Sequence, residues 1–221
     1  VTLMTMGAQP ELLTLGYLRN QGLVEKIEDI KAIQVDWDVE AVAVTTRQAR
    51  TDLDKILSKR TVTSGCGQGT MFGNVMDSLN DLSLQCPSFS AENIYQVLDV
   101  VTEHNRMYKQ AGAVHGCALS TLDKVDIFVE DVGRHNAVDA ISGWMWLNAI
   151  SGADKVFYTT GRLTSEMVIK VAQMKVPLLL SRSGVTEMGL RLAQQIGIGM
   201  VARAKGKHFL VYNGQDKFEK E

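Results

Sequence analysis

Residues 176–181 read VPLLLS, apolar at almost every position, and a strand written this way is buried on both faces. It is one of several such segments. From Ser90 onward, apolar strand-like runs alternate with helical periodicity. A capped amphipathic helix is expected over residues 90–109, with Ile94, Val97, Leu98 and Val101 on one face. Strands follow over 114–122 and 124–129, then a helix over 136–150 carrying Val138, Ile141, Met145 and Ile150. The alternation continues as strand 155–160, helix 164–174, strand 176–181, helix 185–196, and closing strands 198–204 and 208–212. This pattern restricts the chain to an α/β fold, with a largely parallel or mixed sheet covered by helices on both faces.

The first part of the chain reads differently. PELLTLGYLRN, residues 10–20, spaces Leu12, Leu13, Leu15, Tyr17 and Leu18 as a helix would, after a proline suited to a first turn, and Gly22 ends it. Residues 30–37 and 39–45, rich in Val, Ile and Thr, predict neighbouring strands in a hairpin, and DLDKILSK at 52–59 predicts a short helix. We therefore expect a smaller α+β domain over 1–60, a glycine-rich cysteine loop and connection over 61–88, and the α/β domain over 89–214. The tail over 215–221 is expected to fray.

Charge and cysteine content remove several function classes. Net charge is -2, from Lys+Arg 23 against Asp+Glu 25, so no global field favours nucleic acid or an anionic membrane, and any anion site is local. No apolar run reaches the ~20 residues of a membrane span, and VTLMTMGAQPELL lacks the regions of a signal peptide. Three cysteines, Cys66, Cys86 and Cys117, are too sparse for a disulfide framework and point to a reducing compartment, the cytoplasm by default.

Cys66 stands in TVTSGCGQGTMFG, among Gly65, Gly67 and Gly69. Glycines at alternate positions make a packed helix or strand improbable and place the thiol on a loop. Two readings stay open: an incidental surface cysteine, or a reactive thiol with Ser64, Thr70 and loop amides beside it. The loop is neither the Gly-x-Gly-x-x-Gly of dinucleotide folds nor a P-loop.

Strand ends carry the other candidates. Glu130, Asp131, Gly133, Arg134, His135, Asn136 and Asp139 crowd a strand-to-helix junction, where ligands bind in α/β folds; helix capping by Asp131 or Asn136 accounts for part of this density. Thr159, Thr160, Gly161 and Arg162 repeat the pattern, as do Ser181, Arg182, Ser183, Gly184 and Thr186. Hydroxyls and arginines at successive strand ends suit an anionic, phosphate-bearing ligand, while some hydroxyls serve as N-caps. Arg203, Ala204, Lys205, Gly206, Lys207 and His208 form a basic turn able to hold a phosphate or simply to be solvated. His115 lies two residues before Cys117, but the glutamate and the Pro-Cys-x-x-Cys of a zinc deaminase are missing, so no metal site is expected and Cys117 reads as a small buried hydrophobe.

At EDVGRHNAVDAISG, residues 130–143, the chain resembles the formate dehydrogenase accessory proteins, a family of sulfur carriers for molybdenum cofactor. TSGCGQG, AGAVHGCAL, TTGRLTSEMVIKVAQMKVPLLLSRSGVT and GMVARAKGKHFLVY extend the likeness in the same order over nearly the whole chain. The resemblance implies a cytidine-deaminase-like α/β domain without zinc, a smaller partner domain and a homodimer. It implies that Cys66 accepts sulfur from a cysteine desulfurase as a persulfide. That sulfur then passes to the molybdenum bis(guanine dinucleotide) cofactor, bound as substrate, for formate dehydrogenase. The implied cofactor-binding residues are the turn 203–208 with His115, Asp131, Arg134, His135, Arg162 and Ser183. The beginning of the chain resembles the middle of the family's first domain, which implies that leading residues precede it. Gly69 stands where the family's loop commonly has a second cysteine, Arg203 where an aromatic residue is usual, and His208 where arginine is usual. The missing thiol motivates a rival reading, a delivery chaperone that binds the cofactor without carrying sulfur. A nucleotide deaminase is a third class, resting on the expected fold alone.

Overall fold

The computed structural model describes residues 1–47, 79 and 82–219, together with the backbone of 60–62 and 70–72. Cys66 and the short helix expected over 52–59 lie outside the described residues. Helix α1 (Pro10–Asn20) is followed by the antiparallel hairpin β1 (Ile30–Asp36) and β2 (Ala41–Thr46), then by the pair β3 (Arg60–Val62) and β4 (Thr70–Phe72). Next come β5 (Phe89–Ser90), α2 (Ala91–His104), α3 (Arg106–Ala111), β6 (His115–Ser120), β7 (Val125–Asp131) and α4 (Arg134–Leu147). The rest is β8 (Val156–Thr159), α5 (Ser165–Gln173), β9 (Leu178–Ser181), α6 (Glu187–Ile196), β10 (Gly199–Lys205), β11 (His208–Asn213) and β12 (Phe218–Glu219).

Six strands form one mixed sheet in the order β11-β10-β9-β8-β6-β7. The pairs β8–β9 and β9–β10 are parallel, and the other neighbours run antiparallel. Side chains alternate across it, as the period of two along a strand requires. Cys117, Leu119, Phe157, Leu179 and Met200 enter a core shared with α4, α5 and α6, whereas Ala118, Tyr158, Leu178, Leu180 and Val201 enter a second core with α2. Continuous apolar strands such as LLLS are thus used on both faces, and each fully buried Leu contributes about 1.5–3 kcal/mol.

Helix α1 packs along α4. The approach is backbone to backbone: a Cβ at Gly16 would collide with the Asp139 carbonyl, and one at Gly143 with the Leu12 carbonyl. This contact carries Leu13 into the first core and ties the opening stretch of the chain to the helical layer of the sheet.

Two expectations are corrected. The helix expected over 90–109 begins with the capping box of Ser90 and Asn93 but stops at His104, and a separate short helix follows. Asn105 causes the break: its side-chain amide donates to the Val101 carbonyl (3.2 Å), while the Glu130 carboxylate accepts from the Met107 and Tyr108 amides (3.0 and 2.7 Å) and draws α3 aside. The tail does not fray over its described part. β12 pairs in parallel with β5, and the Phe218 ring lies 5.6 Å from Phe89 and 6.0 Å from Phe209. No helix among the described residues is long and apolar enough to cross a membrane.

Candidate functional site

Strand register gathers the sequence candidates on one rim of the sheet. His115, the first residue of β6, pairs with Asp131, the last of β7; Cys117 faces Thr159, and Thr159 lies beside Ser181. β10 continues past the end of β9, where the Arg203 amide donates to the Ser183 carbonyl (2.8 Å). The carboxyl ends of β7, β8, β9 and β10 and the amino end of β6 therefore converge, and α4, α5 and α6 all begin at this rim. Helix amino ends present amides and partial positive charge, so such a rim favours anions.

Most of the hydroxyls expected to face a ligand are spent on the rim itself. Thr159 Oγ1 accepts from the Gly161 amide (3.0 Å) and from the Cys117 thiol (3.2 Å). Thr160 Oγ1 accepts from the Gly116 amide (3.0 Å), and Ser181 Oγ donates to the Gly161 carbonyl (2.6 Å) while accepting from the Ser183 amide (2.9 Å). Thr186 caps α6 by accepting from the Gly189 amide. These bonds fix the strand-to-helix turns, leaving charged and heterocyclic side chains to meet a ligand.

Asp131 is likewise committed to structure. Its Oδ1 accepts from the Gly133 amide (2.9 Å) and the Asn136 side chain (2.8 Å), and its Oδ2 from the Thr5 hydroxyl and the Met6 amide. A carboxylate offers about four acceptor sites, and here all are in use. Asp131 anchors the segment before α1 rather than capping α4, whose N-cap is Gly133.

The cations cluster nearby. Gly161 lets Arg134 and His115 close in, since a Cβ there would collide with Arg134 Cδ and press on His115 Nδ1. Arg134 is buried and Arg162 is exposed. Burial lowers the His115 pKa, and the Arg134 and Arg162 charges lower it further. His135 is pushed down to about 2 by burial, aided by Lys170, Arg134 and His115. Both rings are therefore neutral near pH 7, and the rim's positive charge comes from arginine and lysine.

Burial pushes the Cys117 thiol up to about 12, and burial with the nearby Asp216 raises that of Cys86. A protonated, buried thiol is a poor nucleophile. Cys117 is thus a structural thiol, Cys86 is half-buried, and Cys66 lies outside the described residues.

Beyond Arg203 the expected basic turn is solvent-facing in its side chains, while the Tyr95 hydroxyl of α2 donates to the Lys207 carbonyl (3.2 Å). Arg203, Lys205, Gly206, Lys207 and His208 are exposed and Ala204 is buried. Arg203 adopts a left-handed backbone (φ 53), which costs a non-glycine residue roughly 1–2 kcal/mol, and the β10–β11 register shifts between Ala202 and Lys205. The bulge aims the Arg203 amide at Ser183 and away from the ladder.

Residues 1–219 match the model of the FdhD/NarQ family. The chain belongs to the FdhD/NarQ family. It is 30% identical over 215 residues to the "Sulfur carrier protein FdhD" of Wolinella succinogenes, covering 96% of this chain and 74% of that one. Against the protein of the same name from Bacillus pumilus it is 28% identical over 213 residues, covering 96% and 81%. A formate dehydrogenase accessory protein from Desulfotalea psychrophila, known as a crystal structure, superposes with a TM-score of 0.76 at 27% identity, over 97% of this chain and 82% of that one.

In this FdhD/NarQ chain, the structure brings together His115, Asp131, Arg134, His135, Arg162, Ser183 and Arg203, and sets residues 205–208 beyond them on the β10–β11 hairpin. Sequence reasoning passed over Lys170, which is 2% exposed and ion-paired to Asp139 (2.8 Å) and Glu166 (3.5 Å). The available signal was a Glu–Lys pair four residues apart inside the otherwise apolar helix SEMVIKVAQ. Tyr108 was also missed; the Arg182 guanidinium lies over its ring at 5.4 Å.

Proposed function

We propose that this FdhD/NarQ chain is a sulfur carrier serving formate dehydrogenase. It takes sulfur from a cysteine desulfurase as a Cys66 persulfide and delivers it to the molybdenum bis(guanine dinucleotide) cofactor, which it binds as substrate. In the first step the Cys66 thiolate attacks the sulfane sulfur of the desulfurase persulfide. The donor S–S bond breaks, the donor cysteine leaves as thiolate, and Cys66 holds the new persulfide. The observation that carries the reading is the rim, where arginines and three helix amino ends meet in a chain whose family includes named sulfur carriers. Arg134, Arg162, Ser183 and the hairpin Arg203, Ala204, Lys205, Gly206, Lys207 and His208 are the groups suited to the dinucleotide's phosphates, with His115 and His135 between them. Asp131 supports the site from behind. The same reading makes the protein a cytoplasmic homodimer with a cytidine-deaminase-like larger unit.

Incubation with a cysteine desulfurase and cysteine, followed by mass spectrometry, is expected to show a sulfur adduct on Cys66. Cys66→Ala is expected to abolish formate dehydrogenase maturation. An unmodified Cys66 together with maturation by Cys66→Ala would instead establish the rival reading, a cofactor-delivery chaperone. Gly69, in place of a second loop cysteine, favours that rival, since one resolving thiol is missing.

A further inference from the structure

Arg182 follows the last residue of β9, between Ser181 and Ser183, and takes no part in the phosphate-binding set proposed above. Along β9, Leu179 enters the core under α4, α5 and α6, whereas Leu178 and Leu180 enter the core with α2. Arg182 continues the second series, and its guanidinium lies 5.4 Å from the centre of the Tyr108 ring on α3. The rim therefore carries arginines on both faces of the sheet: Arg134 opens α4 on one, and Arg182 stands on the other.

This second arginine is held from several directions. Its amide donates to the Thr159 carbonyl (3.1 Å), and the next residue, Ser183, is fixed by Ser181 Oγ (2.9 Å) and by the Arg203 amide (2.8 Å). Tyr108 is placed by α3, whose Met107 and Tyr108 amides donate to the Glu130 carboxylate. Nearby, burial pushes the Tyr158 hydroxyl up to about 12, against the Asn105 hydrogen bond (3.4 Å) and the Arg182 charge. Tyr158 is thus neutral, Glu130 is spent on backbone amides, and no carboxylate among the described residues is ion-paired with Arg182. A guanidinium covered on one face by a ring keeps its N–H groups, which lie in its plane, and Arg182 is only half-buried. A positioned cation with no anion of its own suits one brought by a ligand.

We propose that Arg182 is a further phosphate-binding residue of this rim and that Tyr108 is its positioning residue. The assignment rests on the cofactor-binding reading above and deepens it: arginines grip the dinucleotide's phosphates from both faces of the sheet, not from the helix layer of α4 and α5 alone. The stack on Tyr108 orients the guanidinium before the ligand arrives, so less side-chain freedom is lost on binding.

The test uses the full chain with pyrophosphate and GDP as probes, titrated calorimetrically. Arg182→Gln is expected to weaken both roughly tenfold or more, the worth of a hydrogen bond to a charged group. Tyr108→Leu is expected to weaken both roughly two- to fivefold by losing the stack, and Tyr108→Phe, which keeps the ring, to restore that loss. Lys124→Gln removes a positive charge at the opposite end of the sheet and is expected to change neither, which separates a local contact from the general field. Unchanged affinities in Arg182→Gln beside a loss in Arg162→Gln overturn the assignment alone. So does a lowered urea midpoint of Arg182→Gln with unchanged affinity, which makes the stack purely structural. A loss confined to GDP also overturns it, placing Arg182 at the base or sugar. Failure of the wild-type protein to bind either probe overturns the cofactor reading together with it.

Discussion

Asp131 shows how a residue in a ligand-bearing rim is occupied by the protein. Asp131→Ala strips acceptors from the Met6 and Gly133 amides, and the expected cost is about 2–3 kcal/mol in urea unfolding, with faster proteolysis before α1. A fall in GDP affinity with stability unchanged would show instead that the carboxylate faces the ligand. The two neutral histidines carry a second prediction. His135 titrates at about 2 when folded and near 6.5 when unfolded, so between these values the unfolded chain binds the extra proton. Stability then rises with pH up to about 6.5 by roughly 1.4 kcal/mol per unit and levels off above, with His115 adding in the same direction. Chemical denaturation from pH 5 to 8 should show this slope, and His135→Phe should reduce it. The polar density at the strand ends made Arg134 and Arg162 visible in sequence, whereas His115 entered only through the family resemblance. That the Thr160 and Ser181 hydroxyls are taken by Gly116 and Gly161 of neighbouring segments was not visible, because those partners, 44 and 20 residues away, are set by tertiary approach.

Two glycines decide how helices meet. Gly16→Ala or Gly143→Ala drives a methyl into the facing backbone of the α1–α4 contact, and no rotamer relieves it; the expected loss is about 3 kcal/mol, read from the urea midpoint. Gly184→Ala, with open space around it and no left-handed backbone, is the control and should stay within about 0.5 kcal/mol. Effects of equal size at Gly16 and Gly184 would refute the close approach. Elements whose signal is local were legible: α1 from its proline and leucine spacing, β9 from LLLS, and the hairpin β1–β2 from its β-branched runs. The break at Asn105 was hidden because Glu130, which draws α3 aside, is more than 20 residues distant. The docking of Phe218 was equally silent, since β5 and β12 are each too short to show a period.

At the scale of the molecule, the sheet is chemically divided between its two ends. Turns on the rim bring arginines and helix amino ends together, so ligand binding there should stabilise the whole α/β core. GDP at a hundred times its Kd is expected to add about 2.7 kcal/mol, visible as a raised Tm, and Arg162→Gln should reduce that gain at fixed GDP. The opposite end holds the β6–β7 turn, closed by the Thr121 amide on the Lys124 carbonyl, with Lys124 exposed and Lys155 paired to Asp126 (3.1 Å). That turn lies a full strand length from the rim, which makes it the handle of the molecule. A tether or fluorescent tag inserted between Leu122 and Asp123 would hold every copy on a sensor surface with its rim facing the solution, open to donor and cofactor alike.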